Sequence, residues 1–144
     1  MTDRIFFDTN VVVYLFDTSE KEKHLRIIEL LSEHIGKSSI CISSQVINEF
    51  VTITARKIKN LISFEKEKEI LEFLKIIFII SPLTIYTSLT AIDLKLKYRF
   101  SYWDCLILAS ALEDDCSVIY SEDMQHNQII NDRMRIINPF DTTF

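Results

Sequence analysis

Four acids stand where a chain of alternating strands and helices gathers reactive groups. Asp8 follows the short apolar run Arg4 to Phe7, Glu49 lies early in the helix after a second such run, Asp104 opens a helix, and Asp123 follows Ser117 to Tyr120. In an open α/β sheet, functional groups collect at the carboxyl ends of the strands. Carboxylates brought together there would repel one another, and cations relieve that repulsion. Each acid also has a plain structural reading: Asp8 as a helix cap, Asp104 within the capping-box pattern Ser101-Tyr102-Trp103-Asp104, Glu49 as a solvated helix acid and Asp123 as a turn residue. Taken singly, the structural reading is the stronger one.

Other chemistries are excluded by what the chain lacks. Its only glycine is Gly36, so a Walker A loop, a dinucleotide-binding GxGxxG and a GxSxG elbow are all absent. His24, His34 and His126 are scattered without HxxxH or HExxH spacing and are expected to be solvent-exposed. Cys41, Cys105 and Cys116 are odd in number and never at CxxC spacing, which argues against a disulfide framework and a thiolate zinc site.

The elements that must position the acids follow from the patterning of 144 residues, a length that suits one domain spanning 1–144. Arg4 to Phe7 reads as a strand, then a turn. Ser19 to Ile35 reads as an amphipathic helix through Leu25, Ile28, Leu31 and Ile35, with Gly36 at its C-cap. Ser39 to Ile42 is a second strand; Ser43 or Ser44 then caps a helix carrying Val46, Ile47, Phe50 and Val51, closed by the basic stretch Arg56 to Asn60. A charged helix follows from Ser63 to Phe73. Ile76 to Ile80 reads as a central strand buried on both faces. Thr84 to Lys97 and Tyr102 to Glu113 read as helices, Ser117 to Tyr120 as a fourth strand and Arg135 to Ile137 as a fifth. The alternation indicates a three-layer α/β/α domain around a mostly parallel sheet of about five strands.

The net charge of −5 argues against nonspecific binding of nucleic acid over the whole surface, though not against a local basic groove. Arg56, Lys57, Lys59, Lys95, Lys97 and Arg99 could touch phosphates but read first as solvated helix faces. Tyr98, Phe100, Tyr102 and Trp103 are expected in the core, with stacking on an unpaired base as the functional alternative. Glu113-Asp114-Asp115 reads as a solvated cluster. No apolar run is long enough to span a bilayer and no signal-peptide pattern opens the chain, so a cytoplasmic protein is expected.

The order and flanks of the acids add what single residues do not. Phe7-Asp8-Thr9-Asn10-Val11, Asn48-Glu49-Phe50, Ser101-Tyr102-Trp103-Asp104 with Leu106-Ile107, and Ser121-Glu122-Asp123 follow one another. In this the chain resembles the PIN-domain ribonucleases, and most closely the small VapC-type toxins of prokaryotic toxin–antitoxin pairs. The resemblance covers nearly the whole sequence. It implies a PIN-like fold and a Mg²⁺- or Mn²⁺-dependent endoribonuclease with Asp8, Glu49, Asp104 and Asp123 as catalytic metal ligands. Thr9, Asn10 and Ser121 would orient them by hydrogen bonds, and Asp123 could act through water. It further implies an RNA substrate, a cognate antitoxin and a homodimer. One departure is that Arg99 and other side chains occupy turns near Asp104 where glycine could have served.

Within the family, the alternative is a stand-alone RNA-processing nuclease. Outside it stand a nuclease-like fold that only binds RNA or protein, and a receiver-type phosphoacceptor domain. The receiver needs an acceptor aspartate after the third strand, where this chain has Ser81-Pro82.

Overall fold

Asp3–Phe7 forms β1, and Ile5, Phe6 and Phe7 are all buried in it, so the strand sits inside the sheet rather than at its rim. The computed structural model describes residues 3–57 and 62–141. Next come α1 (Thr9–Tyr14), α2 (Lys21–His34), β2 (Ser38–Ser43), α3 (Ser44–Lys57), α4 (Phe64–Ile77) and β3 (Ile79–Ser81). The chain continues through α5 (Ile85–Tyr98), α6 (Tyr102–Glu113), β4 (Val118–Tyr120), β5 (Ile129–Ile130) and β6 (Met134–Ile137).

The strand order is β3-β2-β1-β4-β6-β5, parallel throughout except for the β5–β6 pair. From β1 the chain steps outward to β2 and then β3, and only afterwards crosses back to β4 on the other side of β1. Right-handed crossovers therefore put α1 to α4 on one face and α5 and α6 on the other. The reversal opens a crevice between the carboxyl ends of β1 and β4, where open sheets bind their ligands. Asp8 and Ser121 are the residues that follow those two strands.

Local signals explain the helix limits. Ser63 Oγ accepts from the Lys66 N–H and Ser101 Oγ from the Asp104 N–H, starting α4 and α6. Thr84 and Thr87 form a reciprocal box at the start of α5. Gly36, with φ 77°, turns the chain after α2 as a C-terminal glycine does. Arg99 ends α5 in the left-handed region at φ 65°, the conformation for which glycine is the usual residue.

Several expectations are corrected. Ile76 to Ile80 is not a central strand: α4 runs through Ile77, and β3 is a three-residue edge strand. Ile76 is 83% exposed; a short apolar run reads alike for a helix end and a strand. Helix α2 buries Ile27, Leu30 and Leu31 while Leu25, Ile28 and Ile35 are exposed, so the inward face is turned from the one expected. The mostly parallel sheet expected with about five strands is present and has six, the two-residue strand Ile129–Ile130 adding an antiparallel edge. The segment after β1 is the helix α1, not only a turn. The three histidines are half-buried with hydrogen-bond partners, and Trp103 is exposed rather than in the core. Glu113, Asp114 and Asp115 are not simply solvated, since they accept from Thr87, Ser81 and Arg133. Residues 58–61, which include Lys59 and Asn60, lie outside the described residues. The three cysteines are buried and unpaired by disulfide.

Candidate active site

The β1–β4 ladder continues past both strands, with the Asp8 N–H donating to Tyr120 O at 3.0 Å. This sets Asp8 beside Ser121. Asp8 Oδ2 accepts from Ser121 Oγ at 2.8 Å and Oδ1 from the Thr9 N–H at 2.7 Å, so the same carboxylate caps α1 and faces the crevice. Its structural and functional readings are therefore compatible. Glu49, half-buried on α3, accepts a 2.7 Å hydrogen bond from Thr9 Oγ1. Asn10 Nδ2 donates to Asp123 Oδ2 at 2.7 Å, reaching an exposed loop acid from the first turn of α1. Asp104 is half-buried in the first turn of α6.

All four acids line one cavity of about 220 Å³, together with Thr9 and Asn10. Ser121 stays behind Asp8, fully buried. The cavity also takes in Gln45 and Ile53, which the sequence reading did not single out, together with Ile107 of the third acidic motif and Trp103, for which base stacking was the functional alternative to a place in the core. Gln45 could have been found: it stands four residues before Glu49 on one helix and so shares its face.

The electrostatics show carboxylates whose burial, with a smaller contribution from like charge, favours the protonated form. Burial, opposed by the bonds from Ser121 and Thr9, pushes Asp8 from 3.8 to about 6, and the charges of Asp104 and Glu49 add to the rise. Asp104 is raised by burial, with the charge of Asp123 contributing and a hydrogen bond to Ser101 opposing. A cation would lower both, and a set of donors made only of oxygen suits a hard divalent ion such as Mg²⁺ or Mn²⁺. Among the described residues, no group of three or more His, Cys, Asp or Glu side chains is already drawn together as a metal cage. The donors fit such an ion by type and charge, and closing on it would require the side chains to turn inward.

Neighbouring residues support the site without lining it. Glu122 points away from the cavity, paired with Lys23 at 2.5 Å and accepting from Tyr14, which ties the loop between Ser121 and Asp123 to α1 and α2. Lys95 donates to Phe100 O and Lys97 to Asn131, so neither reaches into the crevice. Among the described residues no histidine lines the cavity.

Residues 5–130 match the PIN domain family. Among solved structures, the fold is similar to a toxin–antitoxin complex from Klebsiella pneumoniae, at 19% identity and TM-score 0.70, covering 95% of this chain and 98% of that one. It is also similar to VapC20 of Mycobacterium tuberculosis, described as a sarcin-ricin loop cleaving toxin, at 15% identity and TM-score 0.64 over 83% of this chain and 89% of that one. A third likeness is to VapBC2 from Rickettsia felis bound to a DNA fragment from its promoter, at 16% identity and TM-score 0.63, covering 92% and 96%. No curated protein matches the sequence.

Proposed function

Because the chain belongs to the PIN-domain family, we propose that it is a Mg²⁺- or Mn²⁺-dependent endoribonuclease, the toxin of a toxin–antitoxin pair. The observation that carries this reading is the convergence of Asp8, Glu49, Asp104 and Asp123 on one cavity at the switch point of the sheet. Asp8, Glu49, Asp104 and Asp123 would hold a hard divalent ion, which would supply Lewis-acid polarisation of a phosphate oxygen and a more acidic water.

The chain's own residues do the rest. Ser121 and the Thr9 N–H fix both oxygens of Asp8, the Thr9 hydroxyl aims Glu49, and Asn10 draws Asp123 toward the cavity. Ile53 and Ile107 form apolar walls that keep the carboxylates partly out of water. RNA as the substrate, and an antitoxin as the partner, are supported by the solved relatives named above. Three unpaired cysteines suit the reducing cytoplasm, and among the described residues no helix is long and apolar enough to cross a membrane.

A homodimer is supported by α5. Ile85, Leu89, Ile92 and Leu96 repeat at spacings of four, three and four, and all are exposed, Leu96 by 77%. Such a stripe normally faces a core; here a second copy of the chain would cover it.

The test is cleavage of a structured RNA by purified protein with Mg²⁺ or Mn²⁺. Wild type cuts, while Asp8→Asn and Asp104→Asn are inactive yet folded. Cleavage that persists undiminished in both variants refutes the assignment of these acids.

A further inference from the structure

Trp103 is 64% exposed and immediately precedes Asp104. Its ring meets Tyr102 edge-on, with centroids 6.0 Å apart and planes at 67°. Its main-chain carbonyl accepts a 3.1 Å hydrogen bond from Gln45 Nε2. The residue is thus held where two cavities meet. One is the carboxylate cavity; the other, of about 580 Å³, is walled by Asn48, Thr52 and Leu83 and shares Gln45, Glu49, Ile53 and Trp103 with the first.

Gln45 shows what chemistry the larger cavity suits. It is 7% exposed, and its Oε1 has no hydrogen-bond partner among the described residues. Buried amide oxygens are normally paired. Flipping the amide would set that oxygen against the Trp103 carbonyl, so Oε1 remains the unpaired acceptor of a buried residue that lines both cavities, and a small rotation of the amide would present it to a ligand. An exposed indole beside an unpaired acceptor matches a flat heteroaromatic ring that carries N–H donors. An apolar side chain would fill the volume and leave the Gln45 oxygen unpaired. Because the two cavities share a wall, a strand whose phosphate sat at a cation held by Asp8 and Glu49 would have its adjoining base within reach of the larger one.

Building on the ribonuclease reading of the acids, we propose that this cavity is a nucleobase subsite: an unpaired base beside the cleaved phosphodiester stacks on Trp103 and donates to Gln45 Oε1. Trp103 and Gln45 are then substrate-binding residues that set which RNA position is cut.

Trp103 is the chain's only tryptophan, so its emission reports on this site alone. The full chain, with Ca²⁺ in place of Mg²⁺ or Mn²⁺ to neutralise the carboxylates, is titrated with short single-stranded oligoribonucleotides. Saturable quenching is expected, with Gln45→Leu weakening the apparent affinity about fivefold. In cleavage assays Trp103→Ala raises KM at least about fivefold, as loss of one stacked base does, and Trp103→Phe restores most of it. The Trp103 side chain is exposed, so its loss should not unfold the chain. Unchanged emission with an RNA that the same protein cleaves overturns the subsite and leaves the ribonuclease reading standing. Quenching without cleavage of any RNA at millimolar Mg²⁺ retains the subsite and overturns that reading instead. Emission that responds to an amphipathic apolar peptide and not to RNA assigns the cavity to a protein partner and overturns the subsite.

Discussion

Ser121 Oγ donates to Asp8 Oδ2 at 2.8 Å across 113 residues of chain, and both residues are buried. The bond joins the ends of the two strands that flank the switch point. It holds down the pKa of a carboxylate that burial and two neighbouring acids push up to about 6.

The first prediction is a pH dependence of stability in metal-free protein. Between about pH 4 and 6 the folded chain keeps a proton on Asp8 that the unfolded chain has released, because the folded pKa lies above 3.8. The stability that Asp8 contributes is fully present below the lower value and is lost as pH rises through the higher one. A shift of this size corresponds to a loss on the order of 3 kcal/mol. Asp8→Asn has no charge to bury, and its amide can still accept from Thr9 and donate to Ser121. Urea unfolding at pH 5 and pH 7 should show the variant to be the more stable protein at pH 7, with the difference shrinking at pH 5. A variant less stable than wild type at pH 7 would make Asp8 chiefly a cap for α1.

Ser121→Ala removes one of the two donors that favour the charged form of Asp8. The expected cost at pH 7 is about 1–3 kcal/mol, the usual penalty for leaving a buried acceptor unpaired. It should diminish toward pH 5 as Asp8 becomes protonated. A pH-independent loss would point to packing alone.

How much of this was legible in the sequence depends on the length of the signal that each feature carries. Helix α6 was readable to the residue, since Ser101 caps it and an unbroken apolar stretch follows. The acids were readable by address, each following a strand or opening a helix, although no pattern in the sequence disclosed that Thr9 would bond Glu49 or Asn10 would bond Asp123. Strand β5 has two residues and leaves no periodicity. Ile76 and Ile77 belong to a helix end because α4 outlasts its charged half, and only tertiary packing decides that. Trp103 departs from aromatic habit: it opens a helix over a cavity, so the rule that aromatics are buried fails where a ligand surface is made.

Metal should stabilise the native chain. With an ion tenfold above its Kd, binding to the folded state alone adds about 1.4 kcal/mol, or about 3–6 °C in Tm. Because no three carboxylates are already drawn together among the described residues, part of the binding energy goes into organising them, and the effect should need roughly millimolar Mg²⁺ or Mn²⁺. Asp8→Asn with Glu49→Gln should abolish the shift in a thermal scan. A shift that survives the double change locates the ion elsewhere.

The stripe on α5 predicts the oligomeric state. Leu89 and Leu96 are exposed and carry none of the core, whereas Ala91 and Leu94 on the same helix are buried. Leu89→Glu with Leu96→Glu should turn a dimer into a monomer in sedimentation equilibrium with an unchanged circular dichroism spectrum. A monomeric wild type, or a double variant that still pairs, removes α5 as the interface.

The last prediction concerns the ends that cleavage leaves. Attack by the RNA's own 2′-hydroxyl would give a 2′,3′-cyclic phosphate, and it requires a base for that hydroxyl and an acid for the leaving oxygen, a role that histidine pairs fill. Here the histidines are committed elsewhere. His24 contacts Tyr14 O, His34 lies between Ser38 and Tyr120, and His126 accepts from the Asn138 N–H. The cavity instead presents four carboxylates, suited to hold cations that activate water against phosphorus and stabilise the departing 3′-oxygen. Products should therefore carry a 5′-phosphate and a 3′-hydroxyl. Ligation of an adapter to the fragments distinguishes the two chemistries, since a 3′-hydroxyl accepts it and a cyclic phosphate does not. Cyclic phosphate from the wild-type protein, absent with Asp104→Asn, would show that hydrolysis by water at the carboxylate site is the wrong mechanism.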